Sequence, residues 1–258
     1  DMSLPKYRQY FETKLGVISG GTSGIGLATA DIFLKNGWNT VLIGRDTEKG
    51  MQVKQQLGET YSPTQVAFIQ ADISKSSEVE HAKQITLSKF KTVDAIINNA
   101  GIVIHGEVHE TSEEDWDKIF DVDVKGTFLV SKAFLPTMIK QDHGSIVNIS
   151  SVSGMAGDRA MVAYNAAKGA IINMTRAMAI DYGKNNIRVN VVAPGPTNTP
   201  LFHQDKQKFA KNSPLNRIVE PEEVAAAIYF VASPAASAIT GEVIPATAGF
   251  EISTGQPM

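Results

Sequence analysis

Leu15-Gly16-Val17-Ile18-Ser19 runs straight into Gly20-Gly21-Thr22-Ser23-Gly24-Ile25-Gly26, and then into Leu27, Ala30, Ile32, Phe33 and Leu34 at helical spacing. An apolar run, a glycine-rich turn and an amphipathic segment read as strand, turn and helix. Glycine at such a turn removes the Cβ that would keep the backbone away from a pyrophosphate. The free N–H groups and positive end of the helix attract its charge. Gly20, Thr22, Ser23, Gly24, Ile25 and Gly26 are therefore candidate phosphate contacts. The spacing is G-x-x-x-G-x-G rather than G-x-G-x-x-G, and no lysine follows to make a P-loop. Taken alone, the cluster also fits a tight turn that holds nothing, so its reading depends on the rest of the chain.

Outward from that turn the pattern repeats. Strand-length apolar runs recur at Leu15 to Ser19, Thr40 to Ile43, Val66 to Gln70, Ala95 to Asn98, Ser145 to Ile149, Arg188 to Ala193 and Glu242 to Pro245, with helical segments between them. Strands nearly continuous in Val, Ile and Leu that alternate with helices predict one doubly wound α/β domain. It has a parallel sheet of about seven strands, helices on both faces and right-handed crossovers. Punctuation agrees: Gly37 stops the first helix, Thr111 with Glu114 and Ser112 with Asp115 make overlapping capping boxes, and Glu220-Pro221-Glu222-Glu223 opens a late helix. Residues 1–13 read as a polar leader and 14–258 as the single domain. The irregular connection at 196–216 is the candidate substrate loop.

Composition narrows the classes. At 258 residues and 43% hydrophobic content the chain can bury one large core, and its net charge of -3, with 24 scattered basic residues, gives no nucleic-acid footprint. No apolar run reaches the ~20 residues of a membrane span. With no cysteine there is neither disulfide nor thiolate cluster, which is compatible with a reducing cytoplasm. His105 and His109 flank Gly106 and read as loop histidines, so no metal site is expected.

Two further clusters carry chemistry. Gly44-Arg45-Asp46 stands past the second strand, where an adenosine ribose would be met. Gly44 leaves no carboxylate at the first position, and Arg45 can fork onto a 2′-phosphate, which favours NADP(H) and leaves NAD(H) open. Tyr164 and Lys168 are four apart in a helical segment, Ala163 to Asp181, and so share one face. A phenol is a poor acid at neutral pH, and a nearby cation favours its ionised form. Thirteen residues before Tyr164, Ser151 follows a strand at the edge where open α/β sheets bind ligands.

Together these motifs resemble the short-chain dehydrogenase/reductase family, from Leu15 to Gly249, and imply a Rossmann-like fold. Gly20, Gly24 and Gly26 match its cofactor turn, Asp72 with Ile73 its adenine-side acid, and Asn99-Ala100-Gly101 its central-strand segment. Pro194, Gly195, Thr197 and Thr199 match the region that holds the nicotinamide carboxamide. Ser151, Tyr164 and Lys168 match its catalytic residues. The resemblance implies alcohol–ketone interconversion by hydride transfer: Ser151 holds the substrate oxygen, Tyr164 exchanges a proton, and Lys168 binds ribose and lowers the tyrosine pKa. It also implies a homotetramer.

The chain departs from that pattern in two places. Asp123 stands where the family usually has a relay asparagine, and Ala246-Thr247-Ala248-Gly249 replaces a more glycine-rich end. Leu201, Phe202, His203, Phe209, Ile102, Val103, Val152, Met155, Met161 and Pro196 are the expected pocket or lid residues. If they face the site they suit a 3-oxoacyl or steroid-like ketone, with a sugar or polyol dehydrogenase and a non-catalytic dinucleotide-binding scaffold or redox sensor as alternatives. Phe120, Phe128, Phe134, Met174 and Met178, on helices expected over Trp116 to Met138 and Ala163 to Asp181, are expected to exceed what one sheet face buries and to meet a partner copy.

Overall fold

A computed structural model describes residues 13–253, so the expected leader lies outside the described residues apart from Thr13. Among the described residues seven strands form one all-parallel sheet: β1 Leu15–Ser19, β2 Asn39–Gly44, β3 Val66–Gln70, β4 Ala95–Asn98, β5 Gly144–Ile149, β6 Ile187–Pro194 and β7 Val243–Ala246. Their order is 3-2-1-4-5-6-7. Successive residues of each strand face opposite layers, which is why the strands are apolar throughout. Val17, Val41, Ile43 and Ile96 enter one core, and Ile18, Leu42 and Ile97 the other.

The helices α1 Gly24–Lys35, α2 Thr47–Thr60, α3 Ser76–Lys89, α4 Glu113–Ile119, α5 Gly126–Gln141, α6 Val162–Tyr182, α7 Lys206–Ala210 and α8 Pro221–Ala232 cover the two faces. On one side α1, α2 and α8 bury Phe33, Leu57 and Ile228. On the other α3, α5 and α6 bury Val79, Phe134 and Ala179. Phe33 is fully buried, edge-on to Trp38 at 4.9 Å and to Tyr229 at 5.3 Å. No helix among the described residues is long and apolar enough to cross a membrane.

Four expectations are corrected in detail. The helix expected to run on from Trp116 is interrupted at Phe120–Lys125 by a π turn between α4 and α5. Neither overlapping box is seen to close: the Ser112 side chain accepts from Asp115 N as a plain N-cap, whereas the Thr111 hydroxyl donates to Glu107 O at 2.8 Å. Phe134, expected at a subunit face, is fully buried under the sheet, while Phe128 is 47% exposed. The connection at 196–216 is not wholly irregular, because Asp205 caps the short α7 inside it. The other helix ends follow their signals. Gly37 takes φ +80° just after α1, and Pro221 opens α8 with Glu220 N donating to the Glu223 carboxylate at 2.9 Å.

Strand order reverses direction between β1 and β4. A crevice therefore opens at their carboxyl ends, the position where doubly wound sheets receive ligands.

Candidate active site

The glycine turn is fastened to the end of β4 rather than standing free. The Ser19 hydroxyl accepts from Asn99 N and Ala100 N, both at 3.1 Å, and Asn99 Nδ2 donates to the Ser19 and Gly20 carbonyls. Gly20 (φ +64°) and Gly24 (φ +51°) adopt the left-handed backbone the turn requires, and a Cβ on Gly26 would lie 2.1 Å from Gly20 O. Ser23 makes no side-chain cap on α1, so its hydroxyl takes none of the N–H groups of the first turn. Asn99 and Ala100 were singled out in the sequence but their tie to Ser19 was missed, because nothing about a strand-ending serine marks a partner 80 residues away.

Beyond β2, Arg45 is exposed and the Asp46 carboxylate accepts from Lys49 N at 3.0 Å as the cap of α2. At the end of β3, Asp72 accepts from Ser74 N and Ser74 Oγ. Partial burial pushes its carboxyl up, but the Ser74 hydrogen bonds and the charges of Lys75 and Arg45 outweigh this and hold it below the usual range. Arg45 and Asp72 thus share one edge of the crevice. Ile73 is placed differently from its expected company: its side chain is buried, against the spot a Cβ on Gly126 would occupy.

Ser151, Tyr164, Lys168 and Asp123 come from three elements that meet across β4 and β5. Ser151 leaves β5 and caps a 3-10 turn, Val152–Gly154, its hydroxyl accepting from Ser153 N at 3.1 Å. That leaves the hydroxyl proton for another acceptor. Tyr164 and Lys168 rise from the first turns of α6, with Lys168 Nζ 5.7 Å from the Tyr164 ring centroid.

Lys168 Nζ lies 3.2 Å from Asp123 Oδ2 and donates to Ile149 O at 3.3 Å. The two charged side chains are 6% and 0% exposed. Burial works against the ammonium, and the Asp123 carboxylate, with a smaller contribution from Tyr164, overcomes it and raises the lysine above its ordinary range. Asp123 is itself fixed, accepting from Ile102 N at 2.9 Å through Oδ1 while its carbonyl accepts the Thr127 hydroxyl at 2.7 Å. A Cβ on Gly101 would stand 3.1 Å from Asp123 Oδ2 and 3.2 Å from Lys168 Nζ, so glycine there lets the loop backbone close over the pair. Thr127 and the π turn escaped the sequence reading, since both follow a helical period without disturbing it.

Pro194 ends β6 and Gly195 follows it, and Thr197 turns its hydroxyl back onto Gly195 O at 2.8 Å. Thr199 crosses over the phosphate turn, its Cγ2 3.4 Å from a Cβ on Gly24. Further along, Phe202 packs edge-on to Phe209, which stacks on Phe250 at 6.0 Å, so these rings tie the 196–216 connection to the segment after β7. Val103, Met155, Leu201 and His203 are exposed; Val152, Met161 and Pro196 are half-buried, and Ile102 packs with Ile119 and Tyr164.

Residues 20–251 match a family model described as enoyl-(acyl carrier protein) reductase. A 3-oxoacyl-[acyl-carrier-protein] reductase of Chlamydia trachomatis is 36% identical over 92% of this chain and 96% of its own length. Meso-2,3-butanediol dehydrogenase of Serratia marcescens is 37% identical over 96% and 98%. Among solved structures, 3-ketoacyl-(acyl-carrier-protein) reductase of Brucella melitensis complexed with NADH superposes with a TM-score of 0.88 at 31% identity, covering 93% of this chain and 99% of that one. On these matches and this architecture, the chain belongs to the short-chain dehydrogenase/reductase family of oxidoreductases.

Proposed function

We propose that the chain interconverts a ketone and a secondary alcohol with NADP(H), and that Tyr164 carries the proton. The observation behind this is the buried Lys168–Asp123 pair one helical turn from Tyr164, beside Ser151 and the glycine turn. A fixed ammonium next to a phenol favours negative charge on the phenolic oxygen as its proton leaves, and general acid–base help of this kind contributes about 10²–10⁴-fold.

The uncapped first turn of α1 fits a pyrophosphate, held by Gly20, Thr22, Ser23, Gly24, Ile25 and Gly26. Asp72 and Ile73 would border the adenine, and Asn99, Ala100 and Gly101 the cofactor's centre. Pro194, Gly195, Thr197 and Thr199 would hold the carboxamide end. The nicotinamide dinucleotide, when bound, supplies or accepts the hydride. Ser151 donates to the substrate oxygen, Tyr164 gives or takes its proton, Lys168 meets the ribose, and Asp123 keeps Lys168 charged and in place. The phosphate preference rests on Arg45, left free for an anion because Asp46 is engaged as a helix cap.

The connection at 196–216 would cover the substrate, and exposed Met155, Val103 and Leu201 favour an apolar carbonyl compound such as a 3-oxoacyl group. A small diol is the second reading, supported by the identity to the Serratia enzyme. Assembly into a homotetramer belongs to the same reading, with Trp116 and Phe128, 40% and 47% exposed, as candidate contacts.

The test compares NADPH with NADH across acyl, steroid and polyol carbonyl compounds. Preferential oxidation of NADPH, lost in Arg45→Ala, is expected. Binding without oxidation of either cofactor by the whole panel would favour a scaffold, and an unchanged preference in Arg45→Ala would remove the case for the phosphate.

A further inference from the structure

We infer that Asn165 clamps the turn between Ser151 and Tyr164 and thereby acts as a positioning residue for the Ser151 hydroxyl; the second clause rests on the proposed function. Three oxygens of that turn converge on the one Asn165 nitrogen: Ser153 O at 2.5 Å, Ala156 O at 2.9 Å and Asp158 Oδ2 at 3.1 Å. An amide nitrogen has two hydrogens, and both are given to this turn. The orientation is not ambiguous, because a flipped amide would set its oxygen against two carbonyls and a carboxylate. Asn165 Oδ1 points the other way, buried and without a hydrogen-bond partner among the described residues, a cost accepted in exchange for the nitrogen's contacts.

The clamp reaches the reacting end through one residue. Ser153 is held at its carbonyl by Asn165, and its N–H is the donor that fixes the Ser151 hydroxyl oxygen at 3.1 Å. The inner part of the turn is also wedged against α6: the Ser150 hydroxyl donates to Lys168 O at 2.7 Å, and a Cβ on Gly154 would lie 2.6 Å from that same carbonyl oxygen. The outer part, Met155 to Ala160, is exposed, and Asn165 reaches it from the helix position next to Tyr164. One side chain thus ties the loop that carries the substrate-polarising hydroxyl to the helix that carries the phenol.

The charge pattern supplies the test. Asn165→Asp keeps the shape but turns donors into acceptors facing three oxygens, whereas Asn165→Ala only removes the bonds. A clamp made of donated hydrogens predicts that Asp is worse than Ala; a requirement for volume predicts the reverse.

The activity-independent readout is the rate of tryptic cleavage after Arg159, exposed in this turn, under conditions where cleavage follows local opening. Asn165→Ala should be cut faster than wild type and Asn165→Asp faster still, by about tenfold or more over wild type. Asn165→Asp combined with Asp158→Asn, which restores one donor–acceptor pair, should be cut more slowly than Asn165→Asp. Ketone kcat/KM should fall in the same order while NADPH Kd stays within about twofold, because the phosphate turn lies at another strand. Cleavage of Asn165→Asp no faster than that of Asn165→Ala would overturn the clamp. Faster cleavage with unchanged kcat/KM would overturn the positioning role. In a chain that turns over no ketone the proposed function fails by itself, and the cleavage order still decides the clamp.

Discussion

Two ion pairs stand at opposite ends of the same sheet. At the carboxyl end, Lys168 and Asp123 meet at 3.2 Å with side chains 6% and 0% exposed; at the amino end, His143 and Asp94 meet at 3.1 Å, 31% and 11% exposed. The amino-end carboxylate is saturated. It accepts from Leu15 N at 2.8 Å as well as from His143, while the other His143 ring nitrogen contacts Gln141 O, so one group fastens the start of β1 to the approach of β5. The carboxyl-end pair is less completely bonded: among the described residues Asp123 Oδ2 has only the ionic contact, with no hydrogen bond aimed at it. Taking two charges fully out of water for so few bonds is a poor route to stability and a good one to a perturbed group near a reaction. The amino end holds the sheet together, and the carboxyl end holds a charge ready.

Removing one charge at a time should expose that difference. Lys168→Met strands the Asp123 carboxylate in the core and should cost about 3–5 kcal/mol in chemical denaturation, together with turnover. Loss of turnover with unchanged stability would mean the carboxylate finds water. At the other end, Arg188 donates to Ile239 O at 3.2 Å and to Ser233 O at 3.1 Å just beyond α8, and burial lowers its pKa. Arg188→Met should cost about 2–3 kcal/mol by leaving those carbonyls without a charged donor, with kcat of the remaining folded protein unchanged.

The pH dependence should also separate the two ends. The hydrogen bond to Asp94 raises His143 above its ordinary range, against partial burial. A raised folded pKa contributes stability that is fully present below the unfolded value and lost as pH rises through the folded one. The melting-temperature gap between wild type and His143→Gln should therefore be widest in mild acid and close on the alkaline side. The smallest effect concerns strain at the carboxyl end. Ala248 sits at φ +57°, where the backbone disfavours a Cβ, and its carbonyl accepts the Ser213 hydroxyl. Ala248→Gly should stabilise by about 0.5–1 kcal/mol in equilibrium unfolding.

The sequence made the carboxyl end more legible than the amino end. Strand boundaries fell within a residue or so, because a fully buried parallel strand is apolar throughout and glycine marks where it turns. Tyr164 and Lys168 were readable from one helical spacing, and Ser151 from a strand end. Asp123 was noticed as a departure, yet its burial and its grip on Lys168 depend on a π turn that leaves no mark on a 3.6-residue period. The His143–Asp94 clamp joins residues 49 positions apart with no motif around either. Phe134 was misjudged because helical spacing shows which residues share a face and not which face the sheet covers.

The central claim is that the Asp123 carboxylate keeps Lys168 charged for proton transfer, and the pH profile of kcat/KM in Asp123→Asn tests it most directly. With the carboxylate gone, burial loses its main opponent and pulls the lysine down, so the alkaline limb should move to lower pH, while Asp94→Asn leaves that limb where wild type has it. An alkaline limb unchanged in Asp123→Asn, or moved equally by Asp94→Asn, would contradict the division of labour between the two ends.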